Sequence, residues 1–299
     1  MIEICEVGPR DGLQNEKKIL STDTKVEWIH RLIDAGIKKI EALSFVNPKV
    51  VPQMADAEAV MEQVVKREDI QYAGLVLSRS GLERALTTDV DVFHVVTATS
   101  DAFNQKNARR TVDQALDELI PVIRECVSEG KDVVGVLGTS FGCPYEGWMP
   151  LSRVLQVAES FLQAGCHEIT LADTTGMANP AQIKDVVRAF TKAFGDDVKL
   201  GLHFHNTRGL GLANVLAGFD AGVRRFDSSN AGLGGCPFAP KAVGNVCTED
   251  LVNMFHQMGE DTGINLQALI DLAHWMESVM ERPLDGMLMK AGLAYESPR

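Results

Sequence analysis

A closed (β/α)8 barrel is the fold that this sequence predicts, and three observations favour it over two domains or an open doubly wound sheet. Short β-like runs alternate with amphipathic helical stretches along the chain, with no Pro/Ser-rich linker between them. A chain of 299 residues, 45% hydrophobic, can bury the large core of one such barrel. Helical stretches also end in Ala-Gly just before a strand, at Gly36, Gly165 and Gly222, as helices with C-cap glycines do.

The strands are predicted from short runs rich in aliphatic and β-branched residues. Eight runs qualify: 3–7, 39–43, 71–77, 90–97, 132–137, 168–172, 198–204 and 224–228. The helices are predicted from apolar residues at helical spacing and cover 22–35, 54–66, 111–129, 151–164, 181–193, 211–221 and 249–258. We therefore expect a single domain over residues 1–299, in which 265–299 form a C-terminal extension with a helix at 266–281 and a tail at 283–299.

Charge and composition argue against several classes of partner. The formal net charge of -12 and the pI near 5.1 disfavour nucleic acid or an anionic membrane as the main partner. No apolar run approaches the roughly 18 residues of a membrane-spanning helix, and residues 1–5 lack the pattern of a signal peptide, so we expect a cytoplasmic protein. The six cysteines are scattered without CxxC pairs, which favours free thiols.

In a barrel of this kind the reactive groups lie at the C-terminal ends of the strands and in the loops that follow. The most informative residues there are His203 and His205, at the end of the seventh predicted strand. Residues i and i+2 of a strand point to the same side, so two imidazoles can converge on one metal ion. The alternative is a pair of hydrogen-bonded polar histidines, and the availability of further ligands decides between the two.

Two further residues of the same rim can complete a metal site. Asp11 follows the first strand, although an aspartate in Arg-Asp-Gly also suits an ordinary turn. Asn245, after the eighth strand, can add an amide oxygen. Two imidazoles, a carboxylate and an amide oxygen, with positions open to substrate, suit a catalytic Mg²⁺ or Mn²⁺, with Zn²⁺ and Co²⁺ as alternatives.

Arg10 and Cys236 are candidate catalytic side chains. Arg10 offers a fixed cation for an oxyanion that develops during reaction, or an ion pair with Glu41 or Asp173 that holds the rim together. Cys236 lies in a glycine-rich loop after the eighth strand, where a protonated thiol can donate a proton to a carbanion. A buried inert thiol is the usual alternative, but glycines and a proline flank this one. Cys143, after the fifth strand, is interpreted as loop structure.

Six stretches that span nearly the whole chain form a recognisable set. They are Glu-Val-Gly-Pro-Arg-Asp-Gly-Leu-Gln-Asn-Glu at 6–16, Ile-Glu and Ser-Phe-Val within 40–46, Gly-Cys-Pro-Tyr-Glu-Gly at 142–147, Asp-Thr at 173–174, His-Phe-His-Asn at 203–206 and Ala-Gly-Leu-Gly-Gly-Cys-Pro at 231–237. Together they resemble the 3-hydroxy-3-methylglutaryl-CoA lyase family of metal-dependent TIM-barrel lyases. The first and last stretches are highly specific, whereas the His-x-His motif is shared with related synthases and aldolases.

The resemblance implies a divalent-metal-dependent lyase that cleaves 3-hydroxy-3-methylglutaryl-CoA to acetyl-CoA and acetoacetate, as in leucine catabolism and ketone body formation. The implied metal ligands are Asp11, His203, His205 and Asn245, and the implied catalytic residues are Arg10, Glu41, Asp173, His203 and Cys236. Arg10 would stabilise the enolate oxygen and Cys236 would protonate the enolate carbon, while Asp173 and His203 are both open as the first base. Lys17 and Lys106 could reach the CoA phosphates, although surface lysines usually bind nothing.

The sequence departs from the family pattern in the expected acyl pocket. Leu43, Val136 and Gly138 stand where the family pattern has Thr, Tyr and Ser, and Pro240 and Lys241 stiffen and charge the glycine-rich loop. Exchanging a phenol and two hydroxyls for apolar or smaller groups would enlarge and dry the pocket. One alternative is therefore a related enzyme for a bulkier or more apolar 3-hydroxyacyl-CoA.

Two other functions are compatible with parts of the sequence. A condensing synthase of the isopropylmalate synthase type shares the His-x-His motif, but Cys236 and the lack of sequence for a regulatory C-terminal domain argue against it. A barrel that binds metal without catalysis is opposed by the presence of Arg10, Asp11, Cys236 and both histidines together. For the lyase we expect an acyl-CoA thioester as substrate, no nucleic-acid or membrane partner, and a homo-oligomer, either a dimer or a tetramer.

Overall fold

Eight parallel strands close into a barrel in the computed structural model, which describes residues 2–235 and 243–294. The barrel strands are β1 (Glu3–Glu6), β2 (Lys39–Ser44), β3 (Gln71–Leu75), β4 (Val92–Ala98), β5 (Asp132–Gly138), β8 (Glu168–Asp173), β9 (Lys199–Phe204) and β10 (Arg225–Ser228). Two further strands, β6 (Gly142–Cys143) and β7 (Gly147–Trp148), form a small antiparallel hairpin after β5. Hydrogen bonds join the barrel strands in the order β1-β10-β9-β8-β5-β4-β3-β2. The predicted closed barrel is confirmed.

Helices cover the outside of this barrel. They are α1 (Thr22–Asp34), α2 (Ala57–Gln63), α3 (Arg79–Ala85), α4 (Asp101–Ala108), α5 (Val112–Ser128), α6 (Leu151–Ala164), α7 (Pro180–Phe194), α8 (Gly211–Asp220), α9 (Thr248–Gln257), α10 (Leu266–Met280) and α11 (Leu288–Ala291). The periodicity predicts neither α3 nor α4, because each is short and α4 buries only Phe103 and Asn104. Their N-caps, Ser78 and Ser100, are the local signals: each hydroxyl accepts an amide hydrogen bond in the first turn.

The glycines that precede three of the strands adopt the left-handed conformation expected of helix C-caps. Gly36, Gly165 and Gly222 have φ of 101°, 118° and 105° after α1, α6 and α8. A residue with a Cβ would be strained at such angles, which explains why glycine follows alanine at each of these helix ends. The repeated Ala-Gly pattern is therefore a structural feature of the turns between helix and strand.

The described part of the C-terminal extension, residues 265–294, packs against the barrel. Helix α10 contacts α1 and α9. Beyond it, Leu284, Leu288 and Met289 are buried, and the amide of Asp285 donates to the carbonyl of Ala231 at 3.1 Å. The sequence beyond residue 283 shows little periodicity, and it is tertiary contact that orders this segment beside the loop after β10. Among the described helices, none is long and apolar enough to cross a bilayer.

The inside of the barrel has an apolar side and a charged side. Inward-facing residues of β3, β4, β5 and β8 form a small apolar cluster, made of Ala73, Val92, Val134, Val136 and Ala172. β2, β10 and the first residue of β8 contribute buried charged groups, which include Lys39, Glu41, Glu168, Arg225 and Asp227. Most of the apolar core lies instead between the strands and the surrounding helices. The charged side of the interior leads up to the C-terminal ends of β1, β9 and β10.

Candidate active site

The loop after β1 presents Arg10 and Asp11 from a π-helical turn at Gly8–Gly12. The amides of Arg10, Asp11 and Gly12 all point at the carbonyl oxygen of Val7, at 3.2, 2.7 and 3.2 Å. Isolated π-turns are often found at functional sites because the wider turn displaces side chains from the positions of a regular helix. Both Arg10 and Asp11 are buried at the mouth of the barrel.

His203 and His205 lie at the end of β9 and face the same side, as predicted; their ring centroids are 5.1 Å apart. His203 Nδ1 lies 3.2 Å from Asp227 Oδ2, and His205 Nδ1 lies 3.4 Å from the carbonyl oxygen of Val243. A carboxylate and a carbonyl can only accept, so each imidazole is assigned as donating from Nδ1 and carrying its lone pair on Nε2. This is the tautomer that a metal ligand requires.

Asp11 joins the two histidines in a compact group of ligand atoms. The candidate ligand atoms of Asp11, His203 and His205 all lie within 4.8 Å of one another. Asn245 is part of the same site: it forms a β-bridge with His205, and its Nδ2 donates to Asp11 Oδ2 at 2.8 Å and to the carbonyl of Leu233 at 3.0 Å. Its Oδ1 is buried and has no hydrogen-bond partner among the described residues. The structure thus brings together all four predicted ligands and leaves the amide oxygen available.

The electrostatics of this group favour a bound cation. Burial and the neighbouring His203 lower the pKa of His205 to about 4, which keeps the imidazole neutral. Burial alone would raise the pKa of Asp11, but Arg10, the two histidines and Asn245 hold it below its usual value, so the carboxylate is ionised. Burial opposes protonation of His203, yet its hydrogen bond and charge interaction with Asp227 raise its pKa. A neutral imidazole, an ionised carboxylate and an unpaired amide oxygen fit a divalent ion.

Arg10 is held by two carboxylates. Its Nε donates to Glu41 Oε2 at 2.7 Å, its Nη2 also pairs with Oε2, and its Nη1 donates to Asp11 Oδ1 at 2.9 Å. Of the two predicted ion-pair partners, the structure selects Glu41, and a β-bulge in β2 immediately after Glu41 marks this position. Glu41 has a further partner that the sequence analysis missed: His94 Nδ1 lies 2.8 Å from its Oε1. Position 94 shares the inward side of the predicted strand 90–97 with 92 and 96, which is the signal that could have revealed it.

Asp173 lies at the end of β8 with its carboxylate turned to its own loop. Oδ1 accepts a hydrogen bond from the amide of Met177 at 2.8 Å, and Oδ2 accepts one from the amide of Ala178 at 3.0 Å. The residue is fully buried, and burial raises its pKa to about 6 despite these bonds. The structure therefore shows Asp173 fixing the loop after β8, and its predicted part in proton transfer stays a prediction.

Cys236 lies in 236–242, outside the described residues, together with Pro240 and Lys241. The chain on both sides of this segment lies beside the candidate ligand residues Asp11, His205 and Asn245. A Cβ on Gly234 would approach Asn245 Nδ2 to 2.5 Å and the carbonyl of Asp11 to 3.2 Å, so the backbone there passes directly over both residues. On the far side, Val243 supplies the carbonyl that orients His205.

The two lysines predicted for CoA binding are exposed, whereas the residues predicted for acyl selectivity are buried and separate into two places: Val136 lies inside the barrel, and Leu43 packs in the main core instead of the predicted pocket. Lys17 is exposed on the loop after β1, and Lys106 is exposed on α4, the helix that follows β4, with its ammonium 4.7 Å from the ring centroid of Tyr145. Val136 belongs to the apolar cluster inside the barrel, and a Cβ on Gly138 would come within 3.2 Å of Thr174 Oγ1. Leu43 and Cys143 are buried, the former in the main core cluster and the latter accepting a hydrogen bond from Ser100 at 3.0 Å.

Comparison with known proteins identifies relatives along nearly the whole chain. The profile of the HMGL-like family matches residues 1–276. The chain is 40% identical to an (R)-citramalyl-CoA lyase of Chloroflexus aurantiacus, over 98% of this chain and 96% of that protein. It is 39% identical to a hydroxymethylglutaryl-CoA lyase of Bacillus subtilis, over 95% of this chain and 94% of that protein.

Solved structures give the same picture at the level of the fold. An HMG-CoA lyase from Acinetobacter baumannii, in complex with coenzyme A and 3-methylmalate, superimposes with a TM-score of 0.95 at 41% identity and covers 100% of this chain and 97% of that chain. The HMG-CoA lyase of Bacillus subtilis superimposes with a TM-score of 0.93 at 38% identity, with 97% of each chain covered.

Proposed function

The chain belongs to the HMGL-like family and is a carbon–carbon lyase, and we propose that it cleaves 3-hydroxy-3-methylglutaryl-CoA to acetyl-CoA and acetoacetate. The observation that carries this proposal is the convergence of Asp11, His203 and His205 beside Arg10 at the C-terminal mouth of the barrel. Such a site suits the cleavage of a bond next to a hydroxyl-bearing carbon, because it combines ligands for a cation with a fixed guanidinium.

Citramalyl-CoA is the second candidate substrate, since a relative at 40% identity is named for it. Both thioesters carry a hydroxyl on C3, so one bond cleavage serves both, and they differ by one methylene between C3 and the free carboxylate. The relative crystallised with 3-methylmalate also holds a hydroxy-dicarboxylate. The apolar Val136 and the side-chain-free Gly138 support a third candidate, a 3-hydroxyacyl-CoA with a longer or more apolar 3-substituent.

A divalent ion, Mg²⁺ or Mn²⁺, would be held by Asp11, His203 and His205, with Asn245 Oδ1 as a fourth ligand. When bound, such an ion makes a hydroxyl that it contacts more acidic and polarises nearby carbonyl oxygens. The protein residues prepare the site: Asp227 and the carbonyl of Val243 orient the two imidazoles, and Asn245 Nδ2 orients Asp11.

Cleavage begins when a base removes the proton from the C3 hydroxyl. His203, paired with Asp227, is one candidate, but a lone pair on Nε2 cannot bind an ion and accept a proton together. Asp173 is the other, and its pKa of about 6 suits a base, although both of its oxygens already accept amide hydrogen bonds. The oxygen electrons then form the C3 carbonyl, the C2–C3 bond breaks, and its electron pair becomes a thioester enolate.

Arg10 stabilises the enolate oxygen in this scheme. A guanidinium has five N–H donors, and the contacts with Glu41 and Asp11 occupy those of Nε, one of Nη1 and one of Nη2. One hydrogen on each Nη therefore remains for the developing negative charge. Cys236 then protonates C2, which releases acetyl-CoA and leaves a thiolate to be reprotonated from solvent.

The proposal is tested by turnover of a panel of 3-hydroxyacyl-CoA thioesters with Mg²⁺ or Mn²⁺. The panel contains HMG-CoA, both enantiomers of citramalyl-CoA and 3-ethyl and 3-propyl analogues of HMG-CoA, and acetyl-CoA release is measured for each. We expect the highest kcat/KM for HMG-CoA. A preference for citramalyl-CoA, or for the longer alkyl analogues, would replace HMG-CoA by that candidate, and the absence of cleavage for every thioester would overturn the proposed activity.

Cys236→Ala separates proton donation from metal binding. The variant should retain one metal ion per chain and lose most of its turnover, because only the protonation step is removed. Cys143→Ala is the matched control: Cys143 lies in the β6–β7 hairpin after β5, not in a loop as the sequence predicts, and is buried against Ser100. Full activity of Cys236→Ala would show that another group protonates C2.

The predicted CoA contacts and the predicted oligomeric state can each be tested by a separate measurement. Replacing Lys17 or Lys106 by Ala should raise KM for the CoA thioester without changing kcat, if their ammonium groups meet the CoA phosphates. A dimer or tetramer, which we expect, would be visible in the native mass of the purified protein.

A further inference from the structure

His94 is an unexpected residue inside the apolar side of the barrel. It lies on β4, is 2% exposed, and alternates with Val92 and Val96 on the inward face of the strand. The wall formed by β3, β4 and β5 otherwise carries aliphatic side chains. Burying an imidazole there costs free energy unless its polar atoms have partners, so its contacts indicate why it is there.

The contact that His94 makes leads directly to Arg10. Its Nδ1 lies 2.8 Å from Glu41 Oε1, and because an ionised carboxylate can only accept, Nδ1–H is the donor. The other oxygen of the same carboxylate, Oε2, accepts from Arg10 Nε at 2.7 Å and pairs with Nη2. His94, Glu41 and Arg10 are 2%, 1% and 8% exposed, so water does not compete for these bonds.

We propose that His94 is a positioning residue that aims the Arg10 guanidinium by fixing the rotation of the Glu41 carboxylate; this rests on the proposed lyase function and adds a residue to it. Oε1 is the oxygen that Arg10 does not contact. Without a donor to Oε1, the Glu41 carboxylate can rotate about its Cγ–Cδ bond. The Arg10 guanidinium, which is bonded to Oε2, then moves with it. The two free Nη hydrogens would then miss the enolate oxygen.

A residue that only fills space would behave differently from one that donates a hydrogen bond. Asn places an amide nitrogen close to the position of Nδ1, whereas Gln places it near Nε2, and Leu has no donor. His94 Nε2 makes no hydrogen bond to any described residue, so His94→Asn removes no second protein contact. The three variants therefore separate the effect of the hydrogen bond that Nδ1 donates from the effect of side-chain volume.

Turnover of the whole enzyme on its preferred thioester is the first measurement. His94→Leu should lower kcat by roughly 10- to 100-fold with KM changed less than about threefold, because an interaction made only in the transition state is weakened. His94→Asn should recover most of kcat, and His94→Gln should not. Thr170→Val is the matched control: Thr170 is as deeply buried and bonded to a guanidinium, that of Arg225, and its loss should leave kcat unchanged.

Two kinetic results would overturn the proposal. In an Arg10→Met background, His94→Leu should have no further effect on kcat, because the group that it aims is gone; a further tenfold loss would show that His94 acts by another route. The second result is equal kcat for His94→Leu and His94→Asn.

A readout that needs no turnover separates this proposal from the lyase assignment. The Nε–H of Arg10 should give a slowly exchanging NMR signal in the wild type and in His94→Asn, and that signal should shift and exchange rapidly in His94→Leu. An unchanged Arg10 signal in His94→Leu would refute the positioning role even if the enzyme is active. If the wild type cleaves no thioester of the panel, the activity proposal fails while this measurement still decides the role of His94.

Discussion

The barrel interior contains two groups of buried charged residues that consist of similar residue types but have different roles. The lower group, towards the N-terminal ends of the strands, consists of Lys39, Glu168, Arg225 and Asp227. The upper group, at the C-terminal mouth, consists of Arg10, Asp11, Glu41, His203 and His205. Asp227 connects the two groups: its Oδ1 pairs with Arg225, and its Oδ2 lies 3.2 Å from His203 Nδ1.

The lower group is self-contained. Arg225 pairs with Glu168 at 2.5 Å and with Asp227 at 3.2 Å, and its Nη1 donates to Thr170 Oγ1. Lys39 lies 3.4 Å from Glu168. Two cations thus face two buried carboxylates and the half-exposed Glu3, which lies 3.4 Å from Lys39 and 3.5 Å from Arg225. Each buried charge has an opposite partner inside the protein, which is the arrangement that a buried ionic network needs to be tolerated.

The upper group is incomplete on its own. One guanidinium faces two carboxylates, two imidazoles carry lone pairs on Nε2, and Asn245 Oδ1 has no partner in the described part of the chain. The excess of negative charge and unpaired lone pairs is what a cation and a substrate would satisfy. The two groups differ in what their polar atoms face: the buried charges of the lower group face opposite charges of the protein. In the upper group the candidate ligand atoms of Asp11, His203 and His205 lie within 4.8 Å of one another, and Asn245 Oδ1 beside them has no partner among the described residues.

The comparison is tested most severely at His205. His205→Ala should abolish stoichiometric Mn²⁺ binding and lower kcat on the order of 10³-fold or more, because it removes a ligand that no other residue replaces. Metal content after dialysis and steady-state turnover measure both effects. His167→Ala, at an exposed histidine before β8, is the control and should match the wild type. One equivalent of Mn²⁺ retained by His205→Ala would place the ion elsewhere.

Arg225 provides the corresponding test of the lower group. Arg225→Met leaves Glu168 and Asp227 without their main partner, and should reduce the free energy of unfolding by about 3–5 kcal/mol. Urea titration measures the loss. Lys184→Met, at an exposed pair with Asp220, should cost less than about 1 kcal/mol. A large fall in kcat with unchanged stability would show that the lower group takes part in the reaction.

Metal addition should stabilise the protein through the upper group alone. At a free Mn²⁺ concentration 100 times its Kd, the free energy of unfolding should rise by about 2.7 kcal/mol. We expect this gain in the wild type and in Arg225→Met, and its loss in His205→Ala, when thermal or urea unfolding is compared with and without the ion. The same gain in all three proteins would mean that Mn²⁺ binds outside the proposed site.

The pH dependence of stability tests whether charge pairing holds Glu168 in the lower group. Burial opposes ionisation of this carboxyl, but Arg225 and Lys39 hold its pKa below the usual value. A carboxyl with a lowered folded-state pKa stabilises the protein above its unfolded pKa of about 4.3, and this contribution disappears as the pH falls through the folded-state pKa. Glu168→Gln should therefore be less stable than the wild type by roughly 1–3 kcal/mol at pH 7, with the difference shrinking below pH about 4.

Unfolding measured from pH 3 to pH 7 would test this prediction. A difference between Glu168→Gln and the wild type that stays constant over that range would show that packing, and not charge pairing, holds the lower group together.

Much of the fold follows from local patterns in the chain. Strand and helix periodicity predicts the eight barrel strands to within two residues of the observed ends, and the Ala-Gly pairs mark left-handed turns at Gly36, Gly165 and Gly222. The shared orientation of His203 and His205 is also local, since it depends only on the alternation of a strand. The helices without an apolar stripe, such as α4, have no such pattern and are missed.

The sequence by itself determined the alternation of elements, the rim on which the reactive residues lie and their chemical types, because each of these depends on neighbours within a few positions. Only the tertiary structure decided which groups pair. Glu41 meets His94 across 53 positions, and Asn245 meets Asp11 across 234. Asp173 turns to its own loop, and residues 284–289 pack beside the loop after β10. Barrel closure creates these distances, and no local periodicity encodes them.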